Sequence, residues 1–157
     1  MRKEYFGMKK IIVAVLAVIL AAGALASCGS DNSSGYKDGS YRIEGENYDS
    51  HGWKPYIDVT VKDSKITQVE FDYMNEEDGR LKTEDEAYEK AYISAGMGTY
   101  PAEFTEKLEK ALIEKQDATM VDSVTGATHS SDDFKAMMNE LQEAMMKGTT
   151  DTLIFKN

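Results

Sequence analysis

The sequence contains very little cysteine and histidine. Cys28 is the single cysteine among 157 residues, and His51 and His129 are the two histidines. A lone cysteine excludes an internal disulfide, a cysteine-ligated iron–sulfur cluster and a c-type haem site, each of which needs at least two thiols. The histidines are far apart in sequence and have no cysteine pair beside them, so they predict no metal site. Redox activity would therefore require an organic cofactor or a metal site without thiolates.

Basic residues are also scarce relative to acidic ones. The sequence has 18 Lys and Arg against 28 Asp and Glu, a net charge of −10. Four basic groups and one acidic group lie in residues 1–27, so residues 28–157 carry −13. Proteins that bind nucleic acid neutralise phosphates with clustered Lys and Arg. Nucleic acid is therefore not an expected partner.

Residues 1–27 have the pattern of a secretory signal. A basic stretch, Met1–Lys10, precedes an apolar run, Ile11–Leu25, and small residues follow. This order is typical of a signal peptide, and either Met1 or Met8 could be its start. The string Leu25-Ala26-Ser27-Cys28 also resembles a bacterial lipobox. That resemblance implies that Cys28 is lipid-modified and becomes the first residue after cleavage.

A transmembrane anchor is the alternative for the same segment. The uncharged run of residues 11–27 is at the lower length limit for crossing a bilayer. We favour a lipoprotein because the lone cysteine stands where a lipobox needs it, and a polar tether (residues 28–35) follows. Two acyl chains on Cys28 would suffice for stable anchoring. Both readings place a domain of residues 36–157 at the outer, extracytoplasmic face of the cell membrane.

Hydrophobic periodicity predicts an α+β fold. Alternation predicts three strands in an antiparallel meander, over residues 40–44, 56–62 and 66–73. A polar, irregular segment from Gly45 to Pro55 separates the first strand from the second. Helical spacing follows, with a capping box predicted at Thr83–Glu86 and proline opening a second helix at Pro101. A third helix is predicted from about Ser130. Two short strands are predicted at residues 118–121 and 152–155. Strands followed by helices indicate about three helices packed on one sheet.

Several aromatic and sulfur-containing side chains could serve a cofactor but are better explained by packing. Trp53 could stack on a ring system, although such residues more often close the edge of a core. Packing in the core is also the expected role of Tyr88, Tyr92 and Tyr100, rather than contact with a cofactor. In the third predicted helix, methionines recur at apolar-face spacing and therefore predict core filling rather than soft-metal binding: Met137, Met138, Met145 and Met146.

The segment from Asp122 to Thr128 is the strongest functional signal. Its sequence is Asp-Ser-Val-Thr-Gly-Ala-Thr, directly before the third helix. Gly126 permits a positive φ and Ala127 blocks little space, so the hydroxyl of Thr128 is brought to the helix start. We predict that Ser130 or Ser131 caps this helix, with Ser130 and Asp133 as an approximate capping box, and the N–H groups there suit a phosphate. The alternative is purely structural, since a small-residue turn is a common way to begin a helix.

This string resembles the acceptor motif of the FMN-binding domain family, Asp-x-x-[Ser/Thr]-Gly-Ala-Thr. Five positions match in type and spacing: Asp122, Thr125, Gly126, Ala127 and Thr128. The following Ser-Ser-x-x-Phe (residues 130–134) is also similar to the family, and the resemblance covers most of residues 38–147. It implies that FMN is joined by a phosphoester bond to Thr128. Ser130 belongs to the stretch that is similar to the family, and His129 adjoins Thr128 and is predicted to contact the flavin phosphate, so both are predicted to belong to the cofactor-binding residues.

The resemblance implies a function and partners as well. A separate Mg²⁺-dependent flavin transferase would use FAD as the donor and release AMP. The product would be an electron carrier rather than an enzyme, placed between a membrane redox donor and an extracytoplasmic acceptor. Three alternatives remain open: a binding or adhesion lipoprotein without flavin, a flavin subunit of a membrane oxidoreductase, and noncovalent FMN.

Overall fold

A computed structural model of the protein describes residues 35–157. The predicted signal, Cys28 and most of the tether lie outside the described residues. The described part contains four strands and three α-helices: β1 (Gly39–Gly45), β2 (Trp53–Lys62), β3 (Lys65–Asn75), α1 (Glu86–Ser94), α2 (Pro101–Lys115), α3 (Thr128–Lys147) and β4 (Leu153–Phe155). Two 3-10 turns, Lys82–Glu84 and Ala118–Met120, complete it. None of the helices within residues 35–157 is both long and apolar enough to cross a membrane.

The strands form one mixed sheet in the order β3-β2-β1-β4. The first three strands pair as the predicted antiparallel meander. The predicted last strand also forms, and it pairs parallel to β1, with Ile43 opposite Leu153. The chain between β1 and β4 includes all three helices, which is long enough for a parallel return. The α+β prediction is therefore confirmed, with one parallel edge added to the meander.

Strand β2 begins at Trp53, three residues before the predicted start, so the segment up to Pro55 is not irregular throughout. Trp53 pairs with Asn75, and Pro55 pairs with Tyr73. The ladder to β1 ends at Tyr56. The proline therefore lies beyond that ladder, and its missing N–H removes no bond to β1.

One face of the sheet carries the apolar side chains, and helices α2 and α3 cover it. The rings of Phe71 in β3 and Phe134 in α3 lie 5.1 Å apart between centroids. Phe104 and Leu108 of α2 are completely buried in the same core. Three of the four α3 methionines fill this core as predicted, whereas Met146 is exposed. The sheet and the two helices thus form a two-layer α+β domain.

At the β3 edge of the sheet, backbone groups form hydrogen bonds with the side chain of Glu109 in α2 and with that of Gln116, which follows α2. The backbone N–H of Phe71 donates to Glu109 at 2.8 Å. The side-chain amide of Gln116 bonds both the N–H and the carbonyl of Ile66, at 2.7 and 2.9 Å. An open strand edge presents unpaired backbone groups that favour aggregation. These bonds satisfy part of that edge and fix α2 relative to the sheet.

Two predicted local features are wrong. The N-cap of α1 is Asp85, which accepts from the N–H groups of Ala87 and Tyr88, whereas the Thr83 hydroxyl bonds Asp72. Residues 118–120 form a 3-10 turn instead of a strand. The side chain of Asp117 accepts from the Thr119 N–H and stabilises that turn. In both cases an aspartate competes locally for backbone N–H groups, which favours caps and turns.

Candidate cofactor-attachment site

The predicted motif forms a turn between the second 3-10 turn and helix α3. Gly126 has φ +84°, in the left-handed region that glycine adopts without strain. The N–H of Ala127 then donates to the carbonyl of Val124 at 3.0 Å, which closes the turn. Helix α3 begins at Thr128, two residues before the predicted start. Thr128 is thus the first residue of the helix.

Thr128 is exposed to solvent at a helix end that lacks a side-chain cap. The N-cap position is Ala127, whose methyl group cannot accept a hydrogen bond, and the first turn contains no acidic residue. The unbonded N–H groups and the partial positive charge of a helix N-terminus therefore have no local carboxylate to satisfy them. Helix α1, in contrast, is capped by Asp85. The start of α3 can accept an anion beside the Thr128 hydroxyl.

Ser131 does not cap the helix, contrary to the prediction, and instead fixes the motif turn. Its hydroxyl is completely buried; it accepts from the N–H of Val124 at 2.9 Å and donates to the carbonyl of Ala127 at 2.8 Å. These bonds connect the start of the turn to its end. A buried hydroxyl with both partners satisfied makes this geometry rigid.

Ser130 is also not the cap. It is mostly buried, and its hydroxyl bonds the hydroxyl of Tyr73 in β3. The predicted capping box between Ser130 and Asp133 therefore does not form at this helix start. Burial raises the pKa of Tyr73, an effect that the bond to Ser130 partly opposes. The first turn of α3 is thereby joined to the sheet.

The other predicted site residues divide into exposed and buried groups. Asp122, Thr125 and His129 are at least partly exposed, while Ala127 is buried. The turn therefore presents Asp122, Thr125, Thr128 and His129 to solvent. Lys135 adds a cation beside it, since its ammonium donates to the Ser123 hydroxyl at 2.7 Å.

The loop between α1 and α2 lies against the motif turn. A Cβ atom on Gly126 would overlap the carbonyl oxygen of Met97 and lie 3.3 Å from the methyl carbon of Thr99. Thr99 is itself buried and donates to Glu103 at 3.1 Å. The Met97 side chain is exposed. Gly126 is therefore required for close approach of two backbones as well as for its φ.

Sequence reasoning missed a buried lysine near this end of α3. Lys82 is 5% exposed, and its ammonium lies over the rings of Tyr73, Tyr88 and Trp53 at 4.0, 4.7 and 5.3 Å from their centroids. Trp53 is buried and meets Tyr88 edge to face at 5.5 Å between centroids. The predicted packing role of Trp53 agrees with this contact.

The rings around Lys82 are contributed by β2, β3 and α1. These positions are distant in sequence from residues 122–128, so no local pattern could have joined them to the motif. The hydrophobic periodicity that found the elements could not identify the cluster, because periodicity describes one element at a time.

Comparisons with known proteins agree with the geometry. The model of the FMN-binding domain family matches residues 52–143. The chain is 36% identical to the 15 kDa lipoprotein of Treponema pallidum (strain Nichols) over 140 residues, which is 88% of this chain and 92% of that protein. It is similar in structure to the CPE2226 protein of Clostridium perfringens, with a TM-score of 0.74 and 36% identity, over 78% of this chain and 98% of that one. The family match spans most of the described domain, including the turn and the Lys82 cluster, and the chain therefore belongs to the FMN-binding domain family.

Proposed function

We propose that this protein is a membrane-anchored, extracytoplasmic electron carrier with FMN attached by a phosphoester bond to Thr128. The observation that carries this proposal is the exposed hydroxyl at the uncapped, acid-free start of α3. Family membership supports flavin binding. The name of the Treponema pallidum relative supports a lipid anchor, which here would be on Cys28.

The residues of the turn fit a covalently held phosphate. A phosphodiester on Thr128 keeps one negative charge, and the first N–H groups of α3 would bond its oxygens. A charge at this position gains about 0.3–1 kcal/mol from the helix dipole in addition to those hydrogen bonds. Gly126 and Ala127 leave the approach to the hydroxyl open, and Ser131 holds the turn that presents it. Asp122, Thr125 and His129 are proposed to contact the cofactor or the enzyme that attaches it.

Attachment requires no catalytic base in this chain. The threonine hydroxyl is an ordinary alcohol, so its activation belongs to the flavin transferase. That enzyme would join the hydroxyl oxygen to the FMN phosphorus of FAD, break the bond between the two phosphates and release AMP. Flavin held in this way supplies transfer of one or two electrons. The protein part binds, orients and retains it.

Coexpression with and without a flavin transferase tests the attachment. We expect the full-length chain to be yellow with the transferase, and its colour to stay with the protein after acid precipitation. Thr128→Ala should be colourless, and Thr128→Ser should keep the colour because it keeps the hydroxyl. Thr67→Ala, at an exposed threonine on β3, is the matched control. Flavin released into the acid supernatant would contradict the covalent bond and favour noncovalent FMN.

The anchor has a separate test. Cys28→Ser should abolish incorporation of a labelled fatty acid into the protein, because the thiol that would carry the acyl chains is lost. Ser27→Ala, which leaves the cysteine in place, is the control and should keep the label. A Cys28→Ser protein that still incorporates the label, or a wild-type protein that never does, would contradict the lipid anchor.

A further inference from the structure

Lys82 is a buried cation without an ion pair in the described part of the chain. Only 5% of the residue is exposed, and none of the ion pairs within residues 35–157 includes it. Three aromatic rings surround the ammonium, Tyr73 being closest at 4.0 Å. Buried charges are normally paired. Interaction with ring faces offsets part of the desolvation but supplies no negatively charged partner in direct contact.

The charged groups that face Lys82 come from several elements. Asp49 in the β1–β2 loop, Asp72 in β3 and Asp133 in α3 attract the ammonium and raise its pKa, but burial has the larger effect and lowers it. Asp72 accepts bonds from the hydroxyl and the N–H of Thr83. Asp49 accepts from the N–H groups of His51 and Trp53. None of these three carboxylates is within ion-pair distance of the ammonium.

A short chain of contacts joins Lys82 to the start of α3. Its ammonium lies over the Tyr73 ring, and the hydroxyl at the far end of that ring bonds Ser130. Ser130 is two residues after Thr128. From α3, Asp133 interacts electrostatically with both Lys82 and His129. The positive charge is therefore close to the helix turn that begins at the acceptor.

We propose that Lys82 raises the reduction potential of the flavin held on Thr128. The inference rests on the proposed function. Two electrons from a reductant and one proton from water convert the neutral oxidised ring to a reduced ring with one negative charge. A buried cation nearby, which no carboxylate pairs with directly, stabilises the added charge. Attraction between two unit charges across a partly screened protein interior changes such an equilibrium on the order of tenfold.

Three rings cover the ammonium, and 5% of the residue is exposed to solvent. Lys82 therefore acts through space, and its effect depends on its charge rather than on its shape. A purely structural lysine would change stability on substitution without changing the potential. A measurement of the flavin reduction potential therefore distinguishes an electrostatic role of Lys82 from a structural one.

The experiment is a spectroelectrochemical titration of the full flavinylated chain, with dithionite and mediator dyes. Lys82→Met removes the charge and keeps most of the apolar length, and Lys82→Gln is a second neutral variant. Lys82→Arg keeps the charge. The matched control is Lys90→Met, at an exposed lysine of α1 that pairs with Glu86 at 3.1 Å.

At a fixed applied potential, we expect the neutral variants to lower the ratio of reduced to oxidised flavin on the order of tenfold. This is equivalent to a decrease of about 30 mV in the reduction potential of a two-electron couple. Lys82→Arg and Lys90→Met should stay near the wild type. An unchanged potential in flavinylated Lys82→Met, or an equal shift in Lys90→Met, would overturn the inference. Unfolding of both neutral variants with a folded Lys82→Arg would make Lys82 structural and overturn it too. A wild-type chain that takes up no flavin would contradict the proposed function instead.

Discussion

Gly126 lies directly against the backbone carbonyl of Met97, so that any Cβ atom at position 126 would overlap that oxygen. This contact joins the α1–α2 loop to the turn that presents Thr128. It gives Gly126 two separate requirements: a φ of +84° and the absence of a side chain. A second glycine, Gly79, has φ +73° and open space, with no atom within 4 Å of the place a Cβ would occupy, so the two requirements can be measured apart.

Gly126→Ala should destabilise the protein more than Gly79→Ala. The left-handed conformation costs an alanine roughly 1–2 kcal/mol at either position. At position 126 the backbone must also shift to relieve the overlap, which adds about 1–3 kcal/mol. Urea unfolding followed by circular dichroism measures both. Equal midpoints for the two variants would contradict the contact with Met97.

Ser131→Ala should loosen the motif turn. The change leaves the partly buried N–H of Val124 without its acceptor, which costs about 0.5–1.5 kcal/mol of folding free energy. We also expect slower attachment of flavin, because Thr128 is presented by a less rigid turn. The attachment rate is measured by recording mass spectra at intervals while each protein is incubated with purified transferase and FAD.

Ser123→Ala is the control for this change, since its hydroxyl is at the surface and accepts only from Lys135 among the described residues. It should attach flavin at nearly the wild-type rate. If flavin attaches to Ser131→Ala as fast as to Ser123→Ala, the hydrogen bonds of the Ser131 hydroxyl are not needed to present Thr128.

Lys82 should make stability depend on pH in the alkaline range. Burial lowers its pKa below the ordinary 10.5, so between the two values the unfolded chain binds more protons than the folded one. The contribution of Lys82 to the free energy of unfolding therefore rises with pH in that window and is complete above 10.5, opposite in sign to that of buried tyrosines such as Tyr73, whose pKa is raised. In Lys82→Met the rise should disappear. Urea denaturation at a series of pH values, with Lys90→Met as the control, measures it; identical slopes in all three proteins would contradict the lowered pKa.

The elements that follow a strict local period could be predicted from sequence. Alternation of Ile57, Val59 and Val61 located β2 because each of these side chains enters the same core. Pro101 marked the start of α2 because its fixed φ and missing N–H suit the first helical position. The seven-residue motif was found for a related reason: its positions are adjacent in sequence and form one turn.

Features that depend on tertiary contact could not be predicted in this way. Ser130 and Ser131 have good capping chemistry, yet their hydroxyls bond Tyr73 and the motif backbone, and the helix begins earlier. The overlap between Gly126 and Met97 joins two loops. Lys82 resembles any surface lysine in sequence, and its burial is set by three rings from β2, β3 and α1.

Mass spectrometry detects the proposed bond between FMN and Thr128 without relying on colour. The full chain is isolated from cells that contain a flavin transferase, and its intact mass and its peptides are measured. We expect a mass increase of one FMN less one water, carried on the peptide that contains Thr128 and absent from Thr128→Ala. An unmodified Thr128 peptide from such cells, or the same increase in Thr128→Ala, would contradict it.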